Sequence, residues 1–405
     1  MKKPSFFKKY STIIGFGFLL TFLSSFGQTF LVSLYVPHYQ EYFGLSDGLF
    51  SSFYAAATLG SAFTLSWLGR FIDKRRLPTF VTAVMLGFAL ALTILSQAYY
   101  IPILILGLYG IRLFGQGLLT HSSITSMARF FTYNRGKAIS WASLGHPSGE
   151  AILPIIVVSV IAAVGWRFSL GIWAVVIVIL IPIVLRFLMY KAPFKLRRLM
   201  LPQTTSSAED ERAGKPLSIL QSRAFWIVAP TNFASAAIGT AFIFFQLKLG
   251  EVRGWSPTWI AASFTAYALG SALSTLLAGW LTDRYSAQHL FPIYLGPFMV
   301  GLLGLYFFDS PWVFTLLVAG IGTTNGFGGT LKNAVLAELY PIAVLGSVRS
   351  LFITTMVFST ALGPVVFGFF LDRGYSFRAL AIGSFVAMIL FTLNALRILR
   401  MQRRN

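Results

Sequence analysis

The chain has 405 residues, of which 56% are apolar and only 11% are charged, and its formal net charge is +20. An ordinary soluble domain carries about 25% charged residues, so this composition argues against a disordered chain, a collagen-like repeat and a plain cytosolic enzyme and favours an integral membrane protein. The absence of cysteine excludes a disulfide framework, a thiol nucleophile and a cysteine-ligated metal site.

Twelve apolar segments are long enough to cross a bilayer, because each crossing needs roughly 20 residues. They lie near residues 11–36, 48–71, 78–97, 101–128, 138–163, 167–190, 224–248, 257–282, 288–308, 312–338, 349–371 and 376–398. This pattern predicts an all-α integral membrane protein, with twelve transmembrane helices in two pseudo-symmetric six-helix bundles. The predicted domains are an N-terminal bundle (1–190), a cytoplasmic linker (191–222) and a C-terminal bundle with a basic cytoplasmic tail (223–405).

The distribution of basic residues predicts the orientation of these spans. Of the 32 Lys and Arg residues, two lie deep within spans, five lie in loops or span ends assigned to the outside, and the remaining 25 lie in segments or span ends assigned to the inside. Cytoplasmic loops concentrate Lys and Arg, so both termini are predicted to be cytoplasmic. The expected location is the plasma (inner) membrane, which the chain crosses many times.

The two halves of the chain repeat a short motif after their second span. Gly69-Arg-Phe-Ile-Asp73-Lys-Arg75-Arg76 follows the second span, and Gly-Trp-Leu-Thr-Asp283-Arg284 follows the eighth. Together with Arg112-Leu-Phe-Gly-Gln116-Gly in the fourth span, the first motif resembles the major facilitator superfamily, and loosely its monocarboxylate and organic-anion porters. The resemblance covers the whole chain and implies a transporter with two related halves.

The resemblance also implies roles for particular residues. Gly69, Asp73, Arg75, Arg76, Asp283 and Arg284 are expected to act in gating and conformational change. In the family, the first, fourth, seventh and tenth spans line the cavity. In this sequence, polar residues of those four spans share helix faces by their spacing. The predicted substrate-binding residues are Gln28, Arg112, Gln116, Asn232 and Asn325.

Charges inside membrane spans are costly and usually functional. Arg112 and Glu150 each lie about 12 residues into their spans, which places both near 18 Å depth at 1.5 Å per residue. The Arg112 guanidinium can bind a carboxylate with two hydrogen bonds. Glu150 and His146 are predicted to couple proton movement to transport, because the substrate and Glu150 would compete for Arg112. Lys332 lies closer to the cytoplasmic end of its span and can extend toward the interface.

These observations predict a secondary active transporter that moves a small solute by alternating access, with proton-coupled uptake of a small organic anion as the leading function. A proton-coupled exporter of hydrophobic compounds, of the drug-efflux type, is the alternative. A channel, a sensor and a membrane enzyme are the other classes, and no catalytic set, P-loop or nucleotide fingerprint is recognised. No cofactor, metal or nucleic acid is expected; the partners are substrate, protons and lipid, and the chain is expected to be a monomer.

Overall fold

The computed structural model describes residues 6–131, 134–189, 200–201 and 219–399, the side chains of residues 6–9, 283, 342 and 343 excepted. All regular elements in this part of the chain are helical. The helices of the first six spans are Phe6–Ser24 with Thr29–Val32 and Val36–Phe43, Asp47–Leu68, Leu77–Ser96, Ile101–Gly110 with Thr120–Phe130, and Arg135–Ser143 with Gly145–Met189. The helices of the last six are Arg223–Phe244 with Gln246–Arg253, Pro257–Arg284, Ala287–Leu290 with Gly296–Phe307, Trp312–Leu339, Ile342–Asp372 and Phe377–Ala395.

The twelve predicted spans can be followed through these helices. By length and composition alone, nine helical stretches among the described residues can cross a membrane. One of them, Arg135–Met189, contains both the fifth and the sixth span, which meet at Gly165, where φ is +79°. Glycine adopts such a positive φ at no steric cost. The second and tenth spans, Asp47–Leu68 and Trp312–Leu339, complete the twelve.

The first span is not a continuous helix. Its helix ends at Ser24, a single 3₁₀ turn covers Ser25–Gly27, and Gln28 is extended (φ −85°, ψ 153°) before helix resumes at Thr29. A Cβ atom on Gly27 would lie 2.4 Å from the carbonyl oxygen of Ile111 and 2.5 Å from the amide nitrogen of Gln116. The break therefore lies where the backbones of the first and fourth spans touch, and only glycine fits there.

The fourth span changes its winding at the same contact. Residues Ile111–Leu119 form a π-helix between the α-helical stretches Ile101–Gly110 and Thr120–Phe130. A π-helical stretch is rare and often marks a functional site, because it redirects side chains relative to an α-helix. The predicted motif from Arg112 to Gln116 lies within it.

The chain separates into two compact units. Unit one comprises Met1–Phe43 and Ala56–Thr205, and unit two comprises Gly44–Ala55 and Ser206–Asn405. The start of the second span therefore belongs to unit two, although the sequence places this span in the N-terminal bundle. Most of the predicted linker, 191–222, lies outside the described residues, so its boundaries stay a prediction.

Hydrogen bonds to Asp372 explain why residues 44–55 belong to unit two. One carboxylate oxygen of Asp372 accepts from the Asp47 amide at 2.9 Å, and the other accepts from the Gly48 amide at 2.9 Å and the Ser46 hydroxyl at 2.8 Å. The buried Asp47 carboxylate in turn forms an ion pair with Lys248. A carboxylate at a helix N-terminus satisfies amides that have no partner within the helix and offsets the helix dipole.

The close contact at Gly27 yields a stability prediction. Gly27→Ala should destabilise the protein by about 1–3 kcal/mol or more, because backbone atoms of Ile111, Gly115 and Gln116 in the fourth span block the added methyl group. Gly60→Ala is the matched control, since its Cβ would lie 3.5 Å from the Tyr109 ring, an ordinary contact. The measurement is the thermal unfolding midpoint of the purified protein in detergent, and equal midpoints for both variants would contradict the prediction.

Candidate functional site

The fifth span approaches the first span closely through two glycines four residues apart. A Cβ on Gly145 would lie 2.2 Å from the carbonyl oxygen of Phe18, and a Cβ on Gly149 would lie 2.2 Å from the Ser25 hydroxyl. Small residues at this spacing let membrane helices pack with their backbones close together. The glycines flank His146, so this packing brings the imidazole to the break in the first span.

A polar chain joins that break to the acidic residue of the fifth span. The Gln28 side-chain nitrogen lies 2.9 Å from His146 Nε2, and His146 Nδ1 lies 3.6 Å from Glu150 Oε1. An amide nitrogen only donates, so His146 accepts at Nε2 and a neutral imidazole carries its proton on Nδ1. That proton faces the Glu150 carboxylate, which gives a donor and an acceptor one helical turn apart.

Arg112 lies at the other side of the break. Its side chain is buried, and Nη1 donates to the Gly27 carbonyl at 3.2 Å and to the Thr29 hydroxyl at 3.4 Å. The extended backbone at Gln28 takes this carbonyl out of regular helical hydrogen bonding. The arginine thus satisfies an acceptor that the membrane interior cannot hydrate.

The basic group beside Glu150 differs from the one that the sequence suggested. Among the described side chains, the basic group within 4.0 Å of this carboxylate is His146 rather than Arg112. His146 is close to Glu150 because it lies one turn away on the same helix. Arg112 instead donates to the Gly27 carbonyl, which lies outside regular helical hydrogen bonding. The roles predicted for these three side chains in transport stay predictions.

The other predicted binding residues lie in both units. Gln116, in unit one, is half-buried within the π-helix. In unit two, the Asn232 side-chain oxygen accepts from Lys332 Nζ at 3.4 Å. Asn325 is exposed, and its side-chain nitrogen donates to the Tyr267 hydroxyl at 2.9 Å.

The residues predicted to act in gating have different surroundings in the two halves. In unit one, Asp73 forms an ion pair with Arg129 at the end of the fourth span, and a Cβ on Gly69 would lie 3.3 Å from His121 Nε2. Two further residues predicted to act in gating, Arg75 and Arg76, are exposed.

In unit two, the Arg284 guanidinium is exposed and lies 5.9 Å from the centre of the Trp280 ring. The side chain of Asp283 lies outside the described part of the chain. The gating roles stay predictions in both units.

Sequence reasoning missed two features of the site, and only one of them left a signal. The run Ser24-Ser-Phe-Gly-Gln28 interrupts the apolar first span with residues that favour turns over helix interiors, so the break could have been inferred. Nothing in the spacing of the fourth span announces the π-helix, because its apolar pattern also fits an α-helix.

Known proteins resemble this chain over most of its length. The family model described as Major Facilitator Superfamily matches residues 17–264 and 228–404. Human monocarboxylate transporter 11 is 25% identical over 341 residues, which are 80% of this chain and 68% of that protein. The phosphoglycerate transporter protein of Salmonella typhimurium is 22% identical over 305 residues, which are 68% of this chain and 65% of that protein.

A solved structure resembles the fold. A bacterial homologue of the human lysosomal transporter Spinster, in an inward-facing and occupied conformation, superposes with a TM-score of 0.71 at 15% identity and covers 97% of each chain. At this identity the likeness concerns the fold alone, and it confirms the predicted all-α membrane architecture.

The hydrogen bonds of Arg112 yield a second prediction. Arg112→Leu leaves the Gly27 carbonyl without this donor, which should cost about 1–3 kcal/mol of stability, while Arg112→Lys should recover part of the loss because an ammonium can still donate. The readout is the thermal unfolding midpoint in detergent. Arg70→Leu removes an exposed arginine of the same unit and should leave the midpoint unchanged; a similar shift in both leucine variants would refute the role assigned to Arg112.

Proposed function

The chain belongs to the major facilitator superfamily of membrane transporters, and we propose that it takes up a small organic anion together with a proton. The observation that carries the proposal is the polar chain Gln28–His146–Glu150, which links an ionisable pair to the break in the first span. Two relatives named for anions, a monocarboxylate transporter and a phosphoglycerate transporter, support the anionic class.

The proposed proton carrier is the pair of His146 and Glu150. A carboxylate and an imidazole one turn apart can share a proton, and an ionisable residue within a membrane span is by default a functional candidate. When His146 gains a second proton, its Nε2 becomes a donor. The Gln28 side chain must then rotate to present its oxygen, so protonation changes which group of Gln28 faces the imidazole.

This rotation offers a route from the proton to the substrate. Gln28 is the extended residue at the break, next to the Gly27 carbonyl that Arg112 holds. Because Arg112 is buried against this backbone, a substrate carboxylate reaches the guanidinium only when the break rearranges. Proton binding at His146 and Glu150 is proposed to favour that rearrangement, with Gln116, Asn232 and Asn325 as further proposed contacts for the substrate.

The chain is proposed to cross the plasma membrane with both termini in the cytoplasm, as its basic residues predict. It acts as a monomer whose two halves give access to the substrate from one side of the membrane at a time.

Uptake into proteoliposomes tests the proton-coupled function. Wild-type protein should accumulate labelled lactate or 3-phosphoglycerate faster when the exterior is acidic. Glu150→Gln should lose this dependence on the proton gradient, because the amide cannot carry the proton, while counterflow exchange without a gradient persists.

The matched control is Glu41→Gln, which removes an exposed glutamate of the same unit and should transport as the wild type does. If Glu150→Gln keeps its gradient dependence, the coupling role is wrong. If wild-type uptake of both anions ignores an inward gradient, and outward gradients instead drive the loss of a hydrophobic dye, the efflux alternative replaces this proposal.

A further inference from the structure

Lys332 is a second basic residue within a predicted membrane span, and its surroundings differ from those of Arg112. It lies seven residues before the end of the tenth span, about 10 Å along the helix. Its ammonium group is half-buried and donates to the Asn232 side-chain oxygen of the seventh span at 3.4 Å. The side chain therefore packs toward the seventh span of unit two, where its position is fixed by an amide.

Lys332 has no opposite charge beside it among the described side chains. Among the side chains that the structure describes, no carboxylate lies within 4.0 Å of its ammonium nitrogen. The Asn232 side-chain nitrogen is also buried without a hydrogen-bond partner in the described part of the chain. A cation without a counter-ion and a buried donor without an acceptor are both costly, and a single oxyanion placed beside them would relieve both costs.

The tenth span also leaves open space next to this lysine. Asn325, Gly329 and Lys332 share one helix face by their spacing, and Asn325 and Gly329 are exposed. A Cβ on Gly329 would meet no atom within 4 Å, whereas Gly322 and Gly326 on another face are packed tightly against the eighth span. This open face of the tenth span therefore carries the Lys332 ammonium group, the Asn325 amide and, at Gly329, open space in which a ligand can lie.

We propose that Lys332 is the anion-binding residue of unit two, that Asn232 positions its ammonium group, and that the ligand is a small oxyanion, either a carboxylate or a phosphate, lying over Gly329. This inference rests on the proposed function and names the group that holds the anion. A lysine ammonium is a compact charge with three rotatable donors, so it accepts carboxylate and phosphate oxygens alike.

Binding to the purified full-length protein in detergent, at constant neutral pH and without a gradient, tests the assignment. The probes for calorimetric titration are lactate, 3-phosphoglycerate and inorganic phosphate, with D-xylose as the neutral reference. Lys332→Gln should raise the Kd of the anions that bind the wild type by about tenfold or more, Lys332→Arg should largely preserve binding, and Lys137→Gln, which removes an exposed lysine, should change nothing.

A second variant tests the open face without touching the charge. Gly329→Leu should weaken anion binding by about tenfold or more, because its side chain occupies the space beside Lys332. Gly383→Leu is the control, since a Cβ at that exposed glycine of the twelfth span also meets nothing within 4 Å. Both leucine variants should unfold at or above the wild-type temperature, because leucine favours helix over glycine.

The outcomes separate this inference from the proposed function. Anion binding that survives in both Lys332→Gln and Gly329→Leu overturns the role of Lys332 while leaving anion uptake in place. A wild-type protein that binds none of the three anions overturns both. Anion binding that is lost in both variants supports the role of Lys332, and whether the wild type binds lactate, inorganic phosphate or both identifies whether carboxylate or phosphate is the group recognised.

Discussion

The hydrogen bond from Arg112 to the Gly27 carbonyl makes the broken first span possible. A helix interrupted inside a bilayer leaves backbone groups that lipid cannot satisfy, at a cost of several kcal/mol for each group. Here the fourth span contributes the arginine that replaces the missing donor. That arginine lies in the π-helix Ile111–Leu119, whose backbone also contacts Gly27. The two irregular segments therefore pack directly against each other.

The polar chain of unit one follows from this pair of irregularities. Because the first span is extended at Gln28, the Gln28 side chain projects toward the fifth span instead of following a helical path. The close packing of Gly145 and Gly149 brings His146 within reach of it. An amide that both donates and accepts is suited to this position, since it can pair with either protonation state of the imidazole by rotating.

The architecture could largely be predicted from the sequence, whereas most of the local geometry could not. Apolar length is a sum over many residues, so it survives errors at single positions. The pairing of Glu150 depends instead on which of two basic groups lies closer, and that is set by the break at Ser25–Gly27 and by two glycine contacts.

The grouping of residues 44–55 with unit two has a similar cause. It depends on the carboxylate of Asp372, more than 300 residues away in the chain. A long-range capping contact of this kind leaves no periodic signal in the sequence.

Arg112 and Lys332 both place a positive charge within a predicted span, and they differ in how the protein stabilises that charge. Arg112 is buried and bound to backbone and hydroxyl oxygens, so much of the cost of its charge is met by the fold itself. Lys332 has one amide contact at 3.4 Å and open space beside its helix, so its cost falls most when an anion arrives.

It follows that a charge already stabilised by the protein gains little from a ligand, whereas a poorly compensated charge gains much. This difference supports the proposal that Lys332 binds the anion, whereas the contacts of Arg112 hold the broken span in place. Glu150, in the proposed proton-carrying pair, belongs to unit one, and Lys332, the proposed anion-binding residue, belongs to unit two, so substitutions can test the two proposals separately.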